Sequence, residues 1–154
     1  MRKLLTAFGL TLALVALTVP AALASGPADH TLPPDEVFED VNPCTGELAT
    51  ITQSFKTAVL HSNVDSSGGL HFKFSGAGAI TTTDGFSGRF SGSGVGNIVA
   101  GGDVAVDTFT FSATLRNGSG QLVNAHFVGH ITVIDGTPVV EVELDSLKCK
   151  GKPS

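Results

Sequence analysis

The chain predicts an all-β fold, an antiparallel meander of about six long strands closing as a small barrel, with a β-sandwich as the alternative. Three observations carry this expectation. After Cys44, apolar and polar residues alternate with period two over long runs, helical periodicity is absent, and Gly-, Asp- and Ser-rich turns separate the runs.

The first 24 residues read as a secretion signal. Arg2 and Lys3 form a basic start, Leu4 to Val19 an apolar stretch, and Ala22-Leu23-Ala24 a small-x-small cleavage site before Ser25. No stop-transfer pattern follows Pro20, and Cys44 lies too far downstream for a lipoprotein anchor, so the expectation is a secreted, extracytoplasmic protein with no membrane span. Residues 25–43, acidic and rich in proline, read as a flexible lead-in. Residues 44–150 then form a single β domain, followed by a short tail at 151–154.

Within that domain, Leu48 to Asn63 reads as one long strand or two short ones, ended by the turn Asp65-Ser66-Ser67-Gly68-Gly69. Leu70 to Thr82 follows, with Leu70, Phe72 and Phe74 on one face and His71, Lys73 and Ser75 on the other. After Asp84-Gly85, the stretch Phe86 to Ile98 carries Gly88, Gly92, Gly94 and Gly96, which signal bends or close backbone packing. Val104 to Arg116 alternates most cleanly, with Phe109, Phe111, Ala113 and Leu115 on one face and threonines and Ser112 on the other. The final hairpin turns at Asp135-Gly136. A two-residue turn there sets Phe127 opposite Leu144 and Ile131 opposite Val140, and on the polar face His130 opposite Glu141 and His126 opposite Asp145.

Removing 24 of 154 residues leaves 130, enough for one domain with a core. Loss of Arg2 and Lys3 leaves seven basic against 14 acidic residues, a net charge of −7. The remaining cations are scattered, so nucleic acid and anionic membranes are poor partners. Trp and Tyr are absent, which disfavours a carbohydrate-binding module built on aromatic stacking. Two cysteines in an exported chain read as a disulfide, Cys44–Cys149, with a free pair or an intermolecular bridge as the other possibilities. An even number of strands between them would bring both cysteines to one end of the barrel.

Catalytic motifs are missing. Gly85-Phe86-Ser87-Gly88-Arg89 has Arg where a nucleophile elbow needs Gly, and the Gly92 to Gly96 run lacks phosphate-loop spacing. His126 and His130 are about 13 Å apart along a strand, too far to share a metal, and read as surface residues beside carboxylates. His61 and His71 would stand opposite each other if the intervening turn centred on Ser66. Asn117-Gly118-Ser119 is a glycosylation sequon that reads as an exposed turn.

The opening Asn42-Pro43-Cys44-Thr45-Gly46-Glu47, with the Gly- and Thr-rich strands and Cys149, resembles small exported bacterial proteins of unknown function that share an N-P-C-x-G-E lead-in and a terminal Cys. That resemblance implies no activity, cofactor or site residue. The functional expectation is non-catalytic binding of a small apolar ligand lined by Phe72, Phe74, Phe109, Phe111 and Phe127, with no metal and no cofactor. A structural or protein-interaction role at the cell surface is the first alternative. An enzyme using a His/carboxylate cluster is the second.

Overall fold

Seven strands follow one another in the chain and in space: β1 (Glu36–Val41), β2 (Leu48–Val64), β3 (Leu70–Thr82), β4 (Ser87–Ile98), β5 (Val104–Arg116), β6 (Leu122–Ile134) and β7 (Thr137–Lys150). Each pairs antiparallel with its neighbours in one sheet of order β1 to β7, and the sheet curls into an open half-barrel. This computed structural model describes residues 28–101, 104–134 and 137–151. The secretion-signal reading, the Asp135-Gly136 turn itself and most of the tail lie outside the described residues.

Three sequence expectations change. The strand count is seven, because residues 36–41 of the acidic lead-in pair with β2, Glu36 opposite Gln53 and Val41 opposite Leu48. Asp29 bridges Leu60, seven residues back on one strand and seven forward on the other, so the same register resumes beyond Pro33 and Pro34. Proline has no N–H to give a ladder, and its place in this outermost segment is where a sheet tolerates it. Full closure of the barrel is replaced by a sheet whose order ends at β7.

The third change concerns register. Val64 faces Leu70 across a five-residue turn, so His61 faces Lys73 and His71 faces Asn63. Asp65 sets that turn: its N–H donates to the Gly69 carbonyl, its Oδ1 accepts from the Ser67 and Gly69 N–H groups, and Gly68 takes φ +89°. The final hairpin keeps the expected pairs from Ile134–Thr137 to Phe127–Leu144, His130–Glu141 among them. A β-bulge then adds a residue on β7, and His126 faces Ser146 instead of Asp145.

The core is organised by glycine. On the inner face Phe72 faces Gly96, Phe74 and Phe109 both face Gly94, Phe111 faces Gly92, Phe90 faces Gly78, and Phe109 also faces Gly129. The rings of Phe72, Phe90 and Phe109 lie over the bare backbone of Gly96, Gly78 and Gly129. A Cβ added at Gly96 would sit 2.2 Å from the Phe72 ring, and one at Gly129 would sit 2.1 Å from Phe109. Phe74, Phe55, Phe90, Phe111 and Phe127 run as a chain of ring contacts with centroids 5.0–6.1 Å apart. Such pairs add about 0.5–1.5 kcal/mol each to the burial of the rings.

Candidate functional site

At one end of the half-barrel the Asn42-Pro43-Cys44 segment forms the β1–β2 turn. Asn42 is buried; its N–H donates to Glu47 O, its backbone carbonyl accepts from Gly46 N–H, and its side-chain Oδ1 accepts from Cys44 N–H at 2.8 Å. Its Nδ2 donates to Asp84 Oδ2 at 2.6 Å, tying this turn to the β3–β4 turn. Gly46 holds φ +76°, a left-handed conformation that accounts for glycine there. The residues of the lead-in motif are thus used for turn geometry and for the disulfide.

Cys44 and Cys149 are bonded, with Cα atoms 5.0 Å apart, joining the β1–β2 turn to the end of β7. From Cys44 onward the chain makes six strands, β2 to β7, so the even count that brings the two cysteines to one end holds for this part of the sheet. A disulfide fits an oxidising compartment.

Above this end lies an apolar cleft of about 80 Å³, bounded by Phe38 of β1, Ile51 of β2, Phe111 of β5, Phe127 of β6 and Leu147 of β7, with Phe86 from the β3–β4 turn. Phe86 is only 2% exposed, and its N–H donates to Thr82 Oγ1, which fixes the ring beneath the cleft. The free space exists because Ala49, Ala113 and Ala125 line the same walls. Of the five Phe residues expected around a ligand, Phe109, Phe111 and Phe127 line this cleft, while Phe72 packs on Gly96 and Phe74 on Phe55.

Two buried polar residues share the inner face and were not singled out from sequence. Gln53 is fully buried between Glu36 and Ile80, with no partner for either side-chain polar atom among the described residues. Asp107, 9% exposed and flanked by Gly96 and Ile131, has an unpartnered Oδ1. Burial pushes its carboxyl up to about 6, against the opposing pull of the Thr108 N–H and His130. Burial also raises Glu36, opposite Gln53. Period two alone marks Asp107, since it shares parity with Phe109 and Phe111.

The histidines lie on the other face. His126 Nδ1 pairs with Ser112 Oγ and His130 Nδ1 with Thr108 Oγ1, each at 2.8 Å. His71 sits between Asp65, whose Oδ2 is 3.0 Å from its Nε2, and Asn97, whose Oδ1 meets its Nδ1. The bond to Asn97, then that to Asp65, raises His71, while donors from Ser67, Gly69 and His71 hold Asp65 well below the carboxylate range. Among the described residues no group of three or more His, Cys, Asp or Glu is placed to hold a metal, and no helix is long and apolar enough to cross a membrane. Asn117 Nδ2 donates to Gln121 Oε1 at 2.7 Å and its Oδ1 accepts from Gln121 N–H, so the sequon asparagine is consumed by its own turn. No family model, curated protein or solved structure matches this chain.

Proposed function

We propose that this protein is a secreted, non-catalytic binding protein that holds a small apolar ligand in the cleft at the disulfide end, its sheet closing toward a barrel around the occupant. The observation that carries the reading is free apolar volume beside a chain of Phe rings that otherwise fill the interior. Drug-sized ligands occupy pockets of roughly 300–1,000 Å³. A cleft of about 80 Å³ therefore takes a short alkyl chain or a single ring.

The test is binding of a probe of that size, hexanol or toluene, read by ligand-observed NMR, with Ala125→Phe as the variant that fills the cleft. Binding by the unaltered protein that Ala125→Phe abolishes supports the reading. If the folded protein ignores the probe, or if Ala125→Phe binds equally well, the carrier reading fails and a surface-interaction role replaces it.

A further inference from the structure

The outer face of the sheet is free of negative charge over five consecutive strands. The chain has 14 Asp and Glu, yet β2 to β6 contain only Asp107, and that residue faces inward. All others lie in residues 29–47, in segments between strands, or on β7. Over the same five strands Lys56, Lys73, Arg89 and Arg116 are exposed. Cations that look scattered in the sequence are gathered by the meander onto one side, and none has a carboxylate partner among the described residues.

Between them lies a trough of about 370 Å³ floored by hydroxyls: Thr57, Ser75, Ser91, Ser93, Thr110 and Ser112. Register explains it. Thr57, Ala77, Ser91 and Ser112 face one another across β2 to β5, and Val59, Ser75, Ser93 and Thr110 form the next row. Both rows are short side chains. Arg89, two residues from Ser91, stands beyond one row; Lys73, two residues from Ser75, stands beyond the other; Lys56 adjoins Thr57. The result crosses the strands as a hydroxyl floor between cationic rims.

We infer that this trough binds an acidic polysaccharide, its hydroxyls meeting sugar hydroxyls and carboxylates while Lys56, Lys73 and Arg89 neutralise the charge. The absence of Trp and Tyr removes the stacking that neutral sugars need, so recognition has to run through charge and hydrogen bonds. Nucleic acid is the less suited polyanion, because its charge, one per about 1.7 Å of duplex, demands more closely clustered cations than Lys56, Lys73 and Arg89 provide. This site is separate from the inner cleft.

The experiment is retention of the protein on immobilised polygalacturonate at low salt, with dextran and duplex DNA as comparison matrices. Retention on polygalacturonate alone, released by salt, is expected. The double variant Lys73→Ser/Arg89→Ser should weaken binding roughly tenfold, whereas Lys150→Ser, outside the trough, should stay within about twofold. Circular dichroism unchanged in both variants separates lost binding from lost folding. No retention of the unaltered protein, equal retention on dextran, tighter binding to DNA, or a double variant that binds normally would each overturn the inference.

Discussion

The inner face has a filled half and a hollow half, and the difference lies in what stands opposite each aromatic ring. Across β3 to β6 three Phe rings press onto glycine, Phe72 on Gly96, Phe90 on Gly78 and Phe109 on Gly129, and there the volume closes. Toward the disulfide the facing positions are Ala113 and Ala125, with Ala49 on the far wall, and space remains. Ring against glycine fills; alanine against alanine leaves a cleft. Packing density is thus set pair by pair across the strands, not by the number of aromatic residues.

The largest effect should come from the bond that frames the hollow half. Cys44 and Cys149 are 105 residues apart, and replacing both by Ser removes about 4–5 kcal/mol in the chain-entropy model. Denaturant unfolding at equal protein concentration measures it. A loss under 1 kcal/mol would mean the sheet edges hold without the bridge.

Next comes the filled half itself. Phe90→Ala, at 4% exposure and packed edge-on against Phe55, should cost about 3–5 kcal/mol, whereas Phe38→Ala at the cleft wall should cost about 1–2 kcal/mol. The two values have to differ in that order. A cleft-wall substitution as costly as the core one would show that the cleft is closed in solution.

Much of this division was open to a reader of the sequence, and its failures have physical causes. Alternation located β3 and β5 because each has one buried face, and reading a two-residue turn at Asp135-Gly136 fixed the β6–β7 pairs as far as Phe127–Leu144. β1 was missed because its inward positions are Glu36, Phe38 and Asp40, which do not read as an apolar stripe. The His61/His71 pairing failed because Asp65 caps a five-residue loop, moving the partner by two residues. Bulges leave no mark in composition, and one of them displaced Asp145 from His126. The cleft was invisible for a related reason: which rings border the alanine-lined space follows from register, so Phe72 and Phe74 could not be told from Phe109, Phe111 and Phe127 in advance.

Asp107 offers a sharper probe of the filled half, since it is a carboxyl seated among rings and glycines. Its folded value is raised to about 6, so the folded state binds more protons than the unfolded chain between about pH 4 and pH 6. Stability should fall as pH rises through that window and level off above it. Asp107→Asn should remove the fall and gain about 1–3 kcal/mol at pH 7.5. A variant with the same pH profile as the parent would place Asp107 in contact with water.

The smallest expected effect lies at the opposite, polar end of the β2–β3 hairpin. His71 is raised by Asn97 and Asp65, so its contribution is fully present below its ordinary value of 6.5 and is lost as pH rises through the raised folded value. Asp65 is depressed, so its contribution is present above 3.8 and is lost as pH falls through the folded value. The turn is therefore best stabilised between about pH 4 and pH 6.5, with an amplitude kept small by exposure on both partners. In the Asp107→Asn background, where the core carboxyl no longer contributes, melting temperature should decline gently on both sides of that window. His71→Gln should flatten the alkaline side and leave the acid side in place, because the Ser67 and Gly69 donors to Asp65 do not depend on the imidazole. Loss of both limbs together would show that the imidazole, and not the turn backbone, organises Asp65; an alkaline limb that persists would mean that His71 is neutral in the folded protein.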